Sequence, residues 1–78
     1  MKLSIYSLKG VEFEGETKGI NVKTTAGEIT VLDHHLPIIS VLAKGKAVIF
    51  NASGKQEINI NGGFLEMAEG NHLSLLID

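Results

Sequence analysis

The chain has no cysteine, no arginine and a single proline among its 78 residues. Without cysteine there is no disulfide framework and no thiolate metal site. All seven basic residues are lysine and the net charge is −2, which argues against a nucleic-acid surface, where arginine clusters and a strongly basic balance are usual. No segment approaches the roughly 18 apolar residues that span a bilayer. Met1-Lys2-Leu3-Ser4-Ile5 lacks the apolar run and cleavage site of a signal peptide, so the expected compartment is cytoplasmic. Helical periodicity is missing too. Leu32 to Ala43 has enough apolar residues, but His34, His35 and Pro37 interrupt it.

What is present is a series of short β-prone runs with glycine at nearly every junction, the pattern of a small sandwich or barrel. Leu3, Ile5 and Ser7 alternate with Lys2, Ser4 and Tyr6, and a second run follows from Val11 to Phe13. Ile20, Val22 and Thr24 alternate with Asn21 and Lys23, the mark of a half-exposed strand. Glu28 to Leu32 and Ile38 to Leu42 are denser in Ile, Val and Leu; the second reads as a strand or as a short turn after Pro37. Ala47 to Phe50 is apolar on both faces, and Glu57 to Asn61 points Ile58 and Ile60 inward. Phe64 to Ala68 and Leu73 to Ile77 flank Glu69-Gly70-Asn71, a hairpin turn. The expected architecture is one all-β domain over residues 1–78, with 44% apolar and 21% charged residues. A chain this short buries only about 60% of its unfolded surface. A domain so small, without disulfide or metal, often leans on a partner.

Four groups invite a functional reading. Asp33, His34 and His35 suggest a metal or catalytic site, but adjacent strand residues point to opposite faces and a third ligand is wanting; a polar loop pair is the simpler account. Glu12, Glu14 and Glu16 share one strand face, which suits acid–base work or, more simply, a charged edge that resists pairing. Gly62-Gly63 lacks the Lys-Ser/Thr of a phosphate loop. Asn61-Gly62 is a hairpin-turn signal, and Gly63 marks either a bulge or close approach of another backbone. Ile38, Ile39, Val41, Leu42 and Phe64 exceed what a thin core needs; any that lie outside would mark a protein interface.

These segments occur in a set order. Val11-x-Phe13-x-Gly15 comes first, then Thr24-x-x-Gly27-Glu28-Ile29-x-Val31-Leu32, then His35-x-Pro37-Ile38-Ile39. Gly62-Gly63-Phe64-x-Glu66 and Leu75-x-x-Asp78 close the chain. The set resembles the β-sandwich domain of the epsilon subunit of F-type ATP synthases, over the whole chain. The resemblance implies a flattened sandwich of two antiparallel sheets and a non-catalytic rotor element with no cofactor and no active site. One face would dock on the central gamma shaft, through Ser7, His35, Ile38, Ile39, Ser40, Asn61, Gly62, Gly63 and Phe64. The loop of Ala26, Gly27, Glu28 and Ile29 would face the c-ring. The complex would sit on the cytoplasmic face of the plasma (inner) membrane. Thr30, Asp33 and His34 stand where the family usually has Gly and Pro-Gly. Most relatives continue into a C-terminal helical hairpin; nothing helical follows Asp78, so inhibitory and nucleotide-sensing functions are expected to be missing. The competing readings are a stand-alone binding module for a peptide or small ligand, and a fragment of an enzyme whose catalytic residues lie elsewhere.

Overall fold

The computed structural model describes residues 1–78. Nine strands follow one another without a helix: β1 Lys2–Ser7, β2 Gly10–Glu16, β3 Gly19–Thr24, β4 Gly27–Leu32, β5 Ile38–Leu42, β6 Gly45–Asn51, β7 Gly54–Ile60, β8 Gly63–Ala68 and β9 His72–Ile77. Each run singled out by alternation is a strand, including Ile38–Leu42, where Pro37 precedes the ladder instead of breaking it. The order β2-β1-β9-β8-β5 forms one layer and β4-β3-β6-β7 the other.

The layers are one curled sheet. β3 pairs β6 through Gly19, Ile20 and Asn21, then changes partner, and Thr24 pairs Leu42 of β5. Backbone bonds from Thr25 N to Val41 O (3.0 Å) and from Ala43 N to Lys23 O (2.9 Å) reinforce this corner. The pairings are antiparallel with one exception. β1 runs parallel to β9, from Lys2–His72 to Tyr6–Leu76, because the first and last strands meet in the middle of the first layer. The expectation of purely antiparallel layers is corrected at that pair. A second correction concerns Asn61-Gly62. β7 pairs only β6, and β8 pairs β5 and β9, so this dipeptide carries the chain between layers and closes no hairpin. Glu69-Gly70-Asn71 does turn a hairpin, with Ala68 opposite His72.

Between the layers lies one core of fourteen buried apolar residues. Leu3, Ile5, Leu65, Met67, Leu73 and Leu75 come from the first layer, and Ile20, Val22, Val31, Ala47, Ile49 and Ile60 from the second. Period-2 alternation puts them inward and leaves the intervening residues outside. The edge strand β2 carries Glu12, Glu14 and Glu16, all exposed, which suits a strand whose free backbone groups face water.

Strand ends divide into two groups. One end of the sandwich carries the β1–β2, β3–β4, β5–β6 and β7–β8 connections, and the other carries Met1 and the remaining four.

Candidate partner-binding face

Register assembles a feature that no single strand shows. Tyr6 of β1 stands opposite both Val11 of β2 and Leu76 of β9; Leu76 stands opposite Phe64 of β8, and Phe64 opposite Val41 of β5. Cross-strand partners share a face, so these five side chains form one row across all five strands. At strand spacings near 4.8 Å the row is about 19 Å long. It points away from the core. Phe64 is 57% exposed and Leu76 59%. Ile39, one step along β5 on the same face, is 74% exposed, and Leu8 in the β1–β2 turn borders the row. Of the eight exposed large apolar residues, five (Val11, Ile39, Val41, Phe64 and Leu76) lie here. Continuous apolar surface of this kind marks interfaces.

A bulge makes the row complete. Register shifts between Ile5 and Tyr6, so β2 places Val11 and not Glu12 opposite Tyr6. Glu12 instead accepts a bond from Ser7 Oγ at 2.9 Å. A groove of ≈ 410 Å³ runs along the end of the row, where Ser7, Gly63 and Phe64 meet Leu8 and Leu76.

Of the nine residues expected to face a shaft, Ile39 and Phe64 belong to the apolar face, and Ser7 and Gly63 flank it. Asn61 and Gly62 lie at the same end of the sandwich, in the crossover. Ile38 and Ser40 point the other way: their partners across the ladder are Met67 and Leu65, both buried, and Ile38 packs against the core. His35 lies at the far end, its ring Nδ1 donating to the Leu36 carbonyl at 2.7 Å. Tyr6, Val11 and Leu76 join the face without an interface assignment from the sequence. For Leu76 the available signal was an apolar residue on the outward phase of an alternating strand; for Val11 the bulge hid it.

The Ala26–Ile29 segment forms the β3–β4 turn. Thr24 Oγ1 accepts from Ala26 N at 3.1 Å and donates to Gly27 O at 2.7 Å, which holds the turn shut. Gly27 has φ 128°, a conformation that favours glycine. Ala26, Gly27 and Glu28 are exposed at the tip, whereas Ile29 turns back onto the core.

Gly63 is fixed by the fold itself. Its φ is 136°, and a Cβ there would lie 2.0 Å from the Leu76 carbonyl oxygen. β8 can approach β9 here only without a side chain. The alternative reading, that Gly63 admits only a foreign backbone, gives way to this internal contact.

Asp33, His34 and His35 do not converge on an ion site. Asp33 accepts from the Met1 amine at 2.5 Å and from Asn71 Nδ2 at 2.9 Å. These bonds hold its carboxyl below the ordinary range, and the bond that the amine donates to Asp33 raises the amine above its own. His34 has φ 62°, with its N–H on Asn71 Oδ1 at 2.7 Å. His72 is elsewhere, 3.2 Å from Ser4 Oγ. The group is a clamp that ties the β4–β5 and β8–β9 connections to the first residue.

The structure is thus an all-β sandwich whose first layer carries one apolar outer face. Residues 1–78 match the family model described as the β-sandwich domain of the ATP synthase delta/epsilon chain; the chain belongs to that family. It is 36% identical over 70 residues to the ATP synthase epsilon chain of Endomicrobium trichonymphae, covering 90% of this chain and 51% of the relative. It is 28% identical over 78 residues to the epsilon chain of Shouchella clausii, covering 100% and 58%. The chain thus spans little more than half the length of these relatives. Two solved structures share the fold. A chain of the Euglena gracilis mitochondrial ATP synthase, in a structure of OSCP, F1 and c-ring, superposes with a TM-score of 0.89 at 23% identity, over 96% of this chain and 48% of its own. A chain from the central stalk and c-ring of the Tetrahymena thermophila enzyme gives 0.83 at 16%, over 99% and 62%.

Proposed function

We propose that this domain serves as a non-catalytic rotor element of an F-type ATP synthase, with its apolar face docked on the central gamma shaft and its β3–β4 turn directed at the c-ring. The exposed Val11–Tyr6–Leu76–Phe64–Val41 row carries the reading. A solvent-facing row of this composition is unfavourable in an isolated domain and favourable once covered, at roughly 25 cal/mol per Å² of apolar area removed from water. Family membership supports the choice of partner: relatives are named epsilon chains, and the Tetrahymena structure is described as central stalk and c-ring.

A stiff sandwich suits torque transfer. It offers a broad flat contact on one layer and a separate turn at one end, so it can touch two partners at once. The chemistry of ATP is left to other subunits; the domain carries no nucleotide or metal of its own. No helix is long and apolar enough to cross a membrane, and the domain is held at the cytoplasmic face of the plasma (inner) membrane through its partners. Ile39 and Phe64 are the central shaft contacts, with Ser7, Asn61, Gly62 and Gly63 at their margin. Ala26, Gly27 and Glu28 are the ring-facing tip.

Hydrogen exchange with and without the cognate gamma subunit tests the reading. Binding should protect β5, β8 and β9 and leave β6 and β7 unchanged. Protection confined to β6 and β7, or no protection at saturating gamma, would overturn it. Glu28→Ala should leave gamma affinity unchanged and lower the coupling of ATP hydrolysis to ion pumping only in part, since an exposed carboxylate contact is worth about 1 kcal/mol or less.

A further inference from the structure

The opposite layer holds a second candidate, formed by lysines. On the outer face of β3 and β6, at the end of the sandwich that carries the β3–β4 turn, Lys23, Lys44 and Lys46 line one concavity of ≈ 500 Å³ together with Asn59 and Asn61. Its floor is Gly45. A Cβ at Gly45 would lie 2.7 Å from Lys23 Cδ and 3.4 Å from Cγ, so the Lys23 stem lies flat across the glycine, beside its two lysine neighbours.

Carboxylates do not neutralise the group. Lys46 meets Glu57 at 3.7 Å, and that is the one ion pair made by any of the three. Glu28 is the cross-strand partner of Lys23 but accepts from Asn21 Nδ2 at 3.4 Å instead. Two ammonium groups without acidic partners, a third paired with Glu57, and two side-chain amides thus line an open space. Ammonium groups serve phosphate as point charges, and amide N–H groups add directed donors.

We propose that this cradle binds a phosphate-bearing anion. Its two sources are soluble phosphate and the headgroups of acidic phospholipids, which attract surface lysines. The inference does not rest on the docking face: Lys23 and Lys46 lie on the other layer and only Asn61, in the crossover, borders both, so each can fail alone.

The test is titration of the chain with inorganic phosphate, at ionic strength held constant with chloride, followed by amide chemical shifts. Saturable shifts should concentrate at Lys23, Lys44, Gly45, Lys46, Asn59 and Asn61. Lys44→Gln with Lys46→Gln should weaken binding by about tenfold or more, in a protein whose remaining spectrum shows it folded. Gly45→Ala, which displaces only the Lys23 stem, should weaken it by about two- to threefold. A parallel arm measures retention on vesicles of phosphatidylcholine with and without phosphatidylglycerol. Retention that needs phosphatidylglycerol and is lost in the double variant identifies the headgroup as source; phosphate binding without retention identifies the soluble anion. Equal shifts at Lys2, Lys9, Lys18 and Lys55, or neither phosphate nor vesicle binding, would overturn the site.

Discussion

Across the middle of the first layer the outward side chains are Val11, Tyr6, Leu76, Phe64 and Val41; across the middle of the second they are Thr30, Asn21, Val48 and Glu57. The inward sides of both layers are alike, closely packed aliphatic residues that any sandwich requires. The outward sides are free of that requirement, and their difference is what the proposed docking face rests on. The middle of the polar layer finds partners within the domain. Asn21 donates to Thr30 at 2.9 Å, Lys46 meets Glu57, and Lys55 sits 5.6 Å over the Phe50 ring. The apolar layer has no such internal partners for its row.

The largest effect that would break this contrast lies beneath the apolar face. Gly63→Val brings a branched side chain into the Leu76 carbonyl at a backbone that disfavours it. The expected cost is about 3 kcal/mol or more, seen as a collapsed thermal melt. Gly27 has a similar φ but open space around it, so Gly27→Ala should cost only the strain of its conformation, about 1–2 kcal/mol. A Gly63→Val protein that melts like the parent would show that β8 and β9 can separate, and the row would lose its rigid base.

A smaller effect sharpens the contrast directly. Phe64→Glu puts a charge in the row where the side chain is already half exposed, so stability should change little. Gamma binding should weaken by about 2 kcal/mol, roughly thirtyfold. Thr30→Glu makes the equivalent change on the polar layer and should stay within about 0.5 kcal/mol. Equal losses in both variants, measured by titration with gamma, would mean that the two faces do not differ in function.

These two experiments also separate what was legible in the sequence from what was not. Alternation revealed most strands and, at Leu3 and Ile5, Ile20 and Val22, and Ile58 and Ile60, the inward phase, because the period of a strand is local; it left Ile38–Leu42 open between strand and turn and gave no phase to Ala47–Phe50. It could not reveal which strands become neighbours. Val11 and Leu76 come from opposite ends of the chain and join one row only through the parallel β1–β9 pair and the bulge in β2. Phe64 and Ile39 were recognisable as surplus apolar residues. Ile38, beside Ile39 in the same apolar run, lies on the inward phase, and the resemblance to a family could not sort the two. The double glycine was conspicuous, but its reason is a tertiary contact: the carbonyl that excludes a side chain from Gly63 belongs to a strand that follows it by a hairpin.

At the far end of the sandwich the Met1–Asp33 clamp should give the stability profile two limbs. The amine has its value raised in the fold, so its contribution is complete below the ordinary 8.0 and is lost as pH rises through the higher folded value. Asp33 has its value lowered, so its contribution is complete above the ordinary 3.8 and is lost as pH falls through the lower folded value. Melting temperature should therefore be flat between these limits and fall beyond each. Asp33→Asn should lower the plateau and flatten the alkaline limb. An alkaline limb as steep as the parent's would assign that titration to another group. Binding to gamma should not change, since the clamp lies at the end of the molecule away from Ser7 and Gly63.

The smallest expected effect concerns His34, which sits next to the clamp in a left-handed conformation, φ 62°. Such a conformation costs a non-glycine residue about 1 kcal/mol or more. It persists because Asn71 Oδ1 receives the His34 N–H at 2.7 Å while Asn71 Nδ2 holds Asp33. His34→Gly keeps the backbone bond, relieves the strain and adds freedom to the unfolded chain, the last at a cost of about 0.4–1 kcal/mol. The two terms nearly offset, and the strain is the larger, so a gain of about 0.5 kcal/mol is expected from denaturant midpoints at neutral pH. A loss of stability would mean that the imidazole itself holds the loop. In that case the variant should also alter the acid limb attributed to Asp33, because the two side chains are neighbours and the His34 cation would have been part of what favours the Asp33 carboxylate.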